Sequence, residues 1–473
     1  MRYAALILLT GILALCASCS KTDSKIEKKP LPKNLGQRFG KQPFLKLIEA
    51  PAKIKLKEGG EVSSRAATCG ACHQAIYREW QQSTHAYALK DPQFLAELAK
   101  KSSPRWLCLN CHIPLKDQRE YLVNYDTKVL SSGHDLREIE KIPNPTFDAA
   151  LQKEAITCAT CHVRKGDNGE GVVLGPRGNT DSPHLVKHDK SALNNICVRC
   201  HTPGPIRMTP SFFCWFETDK ERQEAGVQQT CAACHMPEVQ RPLALGGQSR
   251  KSRHHYFAGS PVPKRFDDFG KMKRKSGLDF FTQLESKGEE QELVVTLKNA
   301  RGGHTITTAD PERHLLVDVL VSDGEMQKRF TKRIGQVWDF GDDKSGREAK
   351  RLSDTRIAYG QERVYRFKIP KESQKITTRI MHVRLSPKNA KHMQDTTFEG
   401  EVQKFHPGIE KKIDKLEKNY PFFAYIFFET RFDLQSSTPR VETLDQNALT
   451  EKSEQARDLS LEQLENLLDR KKP

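Results

Sequence analysis

Residues 69–85 read Cys69-Gly-Ala-Cys72-His73-Gln-Ala-Ile-Tyr77-Arg-Glu-Trp80-Gln-Gln-Ser83-Thr84-His85. The opening Cys-x-x-Cys-His recurs four more times, as Cys108/Cys111/His112, Cys158/Cys161/His162, Cys197/Cys200/His201 and Cys231/Cys234/His235. Each part of the motif has a chemical reason. Two thiols add across the two vinyl groups of one haem, and the two intervening residues set the sulfur separation to match. The next residue then turns its imidazole toward the iron. Zinc ribbons also use Cys-x-x-Cys pairs, but five pairs do not divide into four-cysteine sites, and zinc has no need of a histidine after every second cysteine. A disulfide framework or a thioredoxin-like motif leaves the fivefold histidine unexplained. The sequence therefore predicts five c-type haems as iron-containing cofactors.

The span from Cys69 to Cys234 is too short to wrap five haems separately. They must pack on one another and form the interior, which agrees with a chain only 37% hydrophobic. The expected fold is an α-helical, loop-rich multihaem domain over residues 61–265, followed by an all-β, sandwich-like domain over 276–435. Helical patterning is seen around Gln74 to Gln82 and Asp91 to Lys101. Alternating runs such as Leu293 to Leu297, Leu315 to Val321, Arg363 to Ile369 and Ile376 to Val383 read as strands. Ser322-Asp323-Gly324-Glu325 reads as a hairpin turn. Residues 20–60 read as a lysine-rich flexible tether. Residues 436–473 form a polar tail whose short helix carries the capping box Ser460-Leu-Glu-Gln463.

Residues 1–19 read as a secretory signal peptide, with Arg2 before the apolar stretch Tyr3 to Leu15 and small residues before Cys19. Cys16-Ala-Ser-Cys19 resembles a bacterial lipoprotein processing site, making Cys19 the lipidated residue. Ser20 in place of aspartate points to the outer membrane. A lipid and the basic stretch Lys21 to Lys33 together supply two membrane signals. The expected location is the periplasm, on an outer-membrane anchor. Seventy-seven Lys and Arg against 60 Asp and Glu give a net charge of +17, which suits acidic redox partners and anionic membrane surfaces. No basic helix, aromatic-laced basic groove or finger spacing supports nucleic acid.

Sixteen histidines are present, five of them inside the motifs. A second imidazole on each iron gives a centre suited to electron transfer, whereas an open position admits a substrate. The candidates are His85, His134, His184, His188, His255 and His304; His254, His314, His382, His392 and His406 are weaker. A ligating imidazole should donate its other ring nitrogen to a carbonyl or carboxylate. Cys214, in the aromatic run Ser211 to Phe216, reads as a buried inert thiol.

Cys69-Gly-Ala-Cys72-His73 with Tyr77, Trp80, Ser83 and His85 resembles the opening motif of the cytochrome c-554 and hydroxylamine-oxidoreductase-related multihaem cytochromes. Cys231-Ala-Ala-Cys234-His235-Met236-Pro237 is similar to their closing motif, with His255, Phe257 and Gly259 matching its downstream signature. Gly303-His304-Thr-Ile-Thr307-Thr308-Ala309-Asp310 resembles a later element of the group, but lacks its proline and second glycine. The resemblance implies axial roles for His85, His255 and His304, and a multihaem electron carrier without a defined substrate. Two other readings stay open. One is an oxidoreductase with a five-coordinate haem acting on hydroxylamine or a small nitrogen or sulfur oxyanion. The other is a scaffold whose β domain binds another cytochrome or a porin-like conduit.

Overall fold

The computed structural model describes residues 46–100, 103–124, 140–177, 181–202, 204–207, 211, 213–257, 277–342, 344–384, 387–409, 424–436 and 439–444. The expected signal peptide, Cys19, His134 and the C-terminal capping box lie outside the described residues.

The first strands, β1 (Lys53–Lys55) and β2 (Glu61–Ser63), pair antiparallel. They fall within or beside the stretch expected as a tether, whose last residues are in fact folded. Ile48, Ala50 and Ile54 are buried with Leu115, Leu151 and Val163, so the lysine-rich composition hides three inward-facing apolar positions. Gly171 makes this docking possible, because a Cβ there would collide with the Lys53 carbonyl oxygen.

Helices α1 (Ala66–Cys72), α2 (Gln74–Gln81), α3 (Pro92–Ala99) and α4 (Arg105–His112) follow. Asp91 caps α3 by accepting from the Gln93 N–H, with Pro92 in the first turn. Next come β3 (Tyr121–Val123), β4 (Lys141–Pro143), α5 (Ala149–Gln152) and α6 (Cys158–His162). The remainder of this region holds β5 (Val163–Lys165), β6 (Gly171–Gly175), β7 (Val186–His188), α7 (Lys190–Asn195), α8 (Val198–His201), β8 (Gly204–Arg207), β9 (Phe213–Phe216), α9 (Thr218–Glu224), α10 (Cys231–His235), β10 (Glu238–Pro242) and β11 (Ser249–Arg253). Each Cys-x-x-Cys-His sequence lies on or at the edge of a short helix, closing α1 and α4, spanning the whole of α6 and α10, and running from the cap of α8 to its end.

Four long strands, β12 (Leu278–Lys287), β13 (Glu290–Asn299), β14 (His314–Ser322) and β15 (Gln327–Ile334), precede the small hairpin β16 (Gln336–Asp339) and β17 (Lys350–Asp354). Then come β18 (Glu362–Ile369), β19 (Lys375–Val383), α11 (Pro387–Gln394), α12 (Gly400–Phe405), β20 (Ala424–Asp433) and β21 (Arg440–Thr443). Two antiparallel sheets, ordered β12-β13-β18 and β15-β14-β19-β20-β21, share one apolar core. Period-two alternation builds it: Leu293, Val295 and Leu297 point inward from β13, and Leu315, Val317, Val319 and Val321 from β14.

This architecture corrects the expected fold class. Strand outweighs helix, 36% against 24%, and the region of the five motifs is threaded by small two- and three-stranded sheets rather than being helical. The C-terminal part is not all-β either, since α11 and α12 interrupt it. Met393 of α11, Phe398 between the two helices, and Val402 and Phe405 of α12 pack with Leu89, Leu95, Leu98 and Leu109 from the N-terminal part in one continuous core. Each such side chain contributes about 1.5–3 kcal/mol on burial. A buried ion pair, Arg384 to Asp91 at 2.9 Å, ties the end of β19 to the cap of α3, and Arg356 to Glu221 at 2.7 Å ties the β region to α9.

Candidate haem sites

Four imidazole pairs face one another across the interior. His73 and His184 have ring centroids 6.4 Å apart, His85 and His201 6.4 Å, His162 and His255 6.3 Å, and His235 and His304 6.3 Å. Two imidazole nitrogens facing one metal at about 2 Å each set the centroids about 6.2 Å apart. The four separations match that geometry. Each pair joins one motif histidine to one histidine from elsewhere in the chain.

The ring orientations are fixed from behind. Nδ1 of His73 faces the Leu243 carbonyl at 2.8 Å, that of His112 the Ala88 carbonyl at 2.5 Å and that of His162 the Leu174 carbonyl at 3.0 Å. His184, His255 and His304 face the carbonyls of Leu185, Arg253 and Thr305 at 3.4, 2.9 and 3.0 Å. An imidazole donating Nδ1–H in this way leaves the Nε2 lone pair for a metal. Burial, reinforced by the facing His162, lowers the His255 pKa to about 4. Burial with His235 and Arg313 nearby lowers that of His201 to about 4. Both rings are held in the neutral form that ligates.

The motifs adjoin one another. Cys69 sits beside Cys158, Cys200 beside Cys111, and Cys231 beside Cys197. All five motifs line one cavity of about 4640 Å³, several times a pocket for one small ligand, about 300–1,000 Å³. Among the described residues no group of three or more His, Cys, Asp and Glu side chains is arranged to hold a metal ion. Paired thiols beside opposed imidazoles in a large apolar-walled space fit haem.

A family model described as cytochrome c554 and c-prime matches residues 68–134, which contain the first two motifs. This chain is a multihaem c-type cytochrome. No curated protein matches it. Among solved structures it is similar to a penta-heme cytochrome c552 from Thermochromatium tepidum, at 18% identity and a TM-score of 0.48, covering 70% of this chain and 93% of that one. As a multihaem c-type cytochrome it carries iron in c-type haem and transfers electrons, and such cytochromes are generally exported. Among the described residues no helix is long and apolar enough to cross a membrane.

The cytochrome's first motif is braced by residues in the stretch that follows it. Trp80, 8% exposed, donates its indole N–H to the Ile156 carbonyl at 2.8 Å and stacks on Tyr77. A Cβ on Gly70 would meet the Tyr77 ring at 2.5 Å, so the glycine inside the motif is a packing requirement. Phe257 lies 4.3 Å from the His85 ring and 5.8 Å from that of His255, between two of the pairs. Phe94 on α3 stacks on the His112 ring at 3.5 Å.

His188 is exposed on β7 and stands outside the cavity, unlike His184 four residues earlier. His314 and His382 lie on β14 and β19, where burial drives their pKa values to about 4 and about 3. His392 reaches the cavity wall from α11, and His406 lies outside it. His254 stacks with Tyr256, and its Nδ1 contacts Glu79 at 2.6 Å.

Sequence reasoning missed two positioning groups. Glu79, 5% exposed, accepts two hydrogen bonds from Arg241 at 2.5 and 2.9 Å and one from the His255 backbone N–H at 2.8 Å, besides the His254 contact. Asn299, fully buried, donates to the carbonyls of His304 and Ile357 and accepts from the Gly302 N–H, which shapes the loop presenting His304. Glu79 had a local signal, standing beside Trp80 on the apolar side of α2; Arg241 and Asn299 had none.

Proposed function

We propose that this chain is an exported five-haem electron carrier in which every iron is held between two imidazoles. The observation that carries the reading is the set of four opposed histidine pairs at 6.3–6.4 Å. Cys69/Cys72, Cys108/Cys111, Cys158/Cys161, Cys197/Cys200 and Cys231/Cys234 would hold the haems by thioether bonds. The axial pairs would be His73 with His184, His201 with His85, His162 with His255 and His235 with His304. His134 is proposed as a further axial ligand. Each haem, when bound, supplies a one-electron iron centre. The protein's own part is to present neutral imidazoles and fix their planes through Nδ1.

Lipidation at Cys19 would set the cytochrome on the periplasmic face of the outer membrane, and the +17 charge favours an acidic redox partner over a basic one. The test is the holoprotein made in a host that attaches c-type haem. Iron and haem analysis should give five per chain, and electron paramagnetic resonance of the oxidised protein should give low-spin centres only. A stoichiometric high-spin signal would overturn the carrier reading in favour of a haem open to substrate.

A further inference from the structure

Arg313 precedes β14, and its backbone is fixed on both sides. Its N–H bonds the Asp310 carbonyl at 3.1 Å, and its carbonyl accepts from the Thr307 hydroxyl at 2.6 Å. The side chain lines the cavity shared by the five motifs. There its Nε is buried with no hydrogen-bond partner, and the guanidinium has no carboxylate within salt-bridge distance among the described residues. Arg384, the arginine that acts on it, is itself engaged by Asp91 at 2.9 Å. Asp310 and Asp91 act on Arg313 only through space, and Arg384 opposes them.

A lysine in such a place could shed its proton; a guanidinium cannot, so it keeps its charge and requires an anion. Leaving a buried charge uncompensated is strongly unfavourable. Arg313 acts electrostatically on the His201 ring, which faces His85, and on His382 of β19, and its side chain lines the same cavity as all three. Haem carries two propionate carboxylates, whose planar two-oxygen geometry suits a guanidinium fork.

We infer that Arg313 is a carboxylate-binding residue that pairs with a propionate of the haem held between His85 and His201. The inference rests on the proposed assignment of that imidazole pair. It gives the β region a direct hold on one haem inside the array, beyond supplying His304 to another. A cation beside a propionate disfavours the ferric form, so Arg313 raises that haem's potential relative to a neutral residue.

The test is a spectroelectrochemical titration of the full holoprotein with Arg313→Gln and Arg313→Lys variants. In Arg313→Gln one of the five potentials should fall, with the other four and the low-spin count unchanged. Arg313→Lys keeps the charge without the fork and should move the same potential in the same direction by less. Five wild-type potentials in both variants would overturn the assignment, as would the same result in the lysine variant alone if the glutamine protein fails to mature. A free oxyanion is the other source of the same chemistry. If a wild-type potential tracks inorganic phosphate at constant ionic strength, and Arg313→Gln abolishes the response, the propionate pairing is overturned in its favour. Failure of the parent assignment would show separately, as a high-spin haem in the wild-type protein.

Discussion

Replacing Glu79 with alanine removes one carboxylate that serves Arg241, His254 and the His255 backbone at once. Burial raises the Glu79 pKa, but hydrogen bonds from Arg241, the His255 N–H and His254 outweigh it, and the net value lies below the ordinary one. The carboxylate is therefore charged in the folded protein. Its loss strands a largely buried guanidinium, which costs about 3–5 kcal/mol, and the unpartnered His255 N–H adds up to about 1–3 kcal/mol unless water reaches it. With roughly 2–4 °C per kcal/mol for a region of this size, the melting temperature should fall on the order of 10 °C. The loss should also have an address. His255 faces His162 at 6.3 Å, and freeing its backbone should convert one haem of the array partly to high spin while the rest stay low-spin. Soret-region circular dichroism during heating measures the first effect, and electron paramagnetic resonance at low temperature the second. Because the folded pKa is depressed, the Glu79 contribution is present above the unfolded pKa and disappears as pH falls through the folded one. The difference between wild type and variant should narrow in acid. A melting temperature within about 2 °C of wild type, or a clear fall with no high-spin signal, would refute the positioning role.

Gly70→Ala should cost about 1–3 kcal/mol by overpacking against Tyr77, and Tyr77→Ala in the same chain should recover part of it in thermal melts. Burial, with Asp310 adding to it, raises the Glu312 pKa from 4.5 to about 7. Between those values the folded protein keeps a proton that the unfolded chain has released, so this group's contribution to stability declines as pH rises through that window. Glu312→Gln should accordingly be near neutral at pH 4.5 and stabilising by up to about 3 kcal/mol at pH 8, read as the difference in melting curves. Electron transfer to an acidic partner should slow steeply as salt rises from about 0.05 to 0.5 M; stopped-flow rates independent of salt would remove charge as the basis of partner choice.

The five Cys-x-x-Cys-His stretches could be picked out in the sequence because their spacing is local, and all five line one cavity. His85, His255 and His304 were legible through motif resemblance, and all three face a motif histidine. His184 and His188 were indistinguishable in sequence, since both sit in a polar loop; only the fold, which bridges His184 to Leu56 and pairs His188 with Gly175 at the end of β7, puts one at the cavity and leaves the other exposed. The small sheets were hidden for a similar reason. Strands such as Lys53–Lys55 and Lys141–Pro143 are too short for alternation to register, and helices of four to eight residues barely complete a period. Glu79 and Arg241 stand 162 positions apart, beyond any local pattern.

The apolar cluster joining Leu95 and Leu98 of α3 to Phe398 and Val402 near the far end of the chain bears on biogenesis. The wall beside Cys108 is incomplete until the residues around 400 have joined it. Until then that thiol belongs to an open polypeptide, within reach of the machinery that attaches the cofactor. Closure comes last, and a chain truncated before α11 would be left with a permanently open flank at its second site.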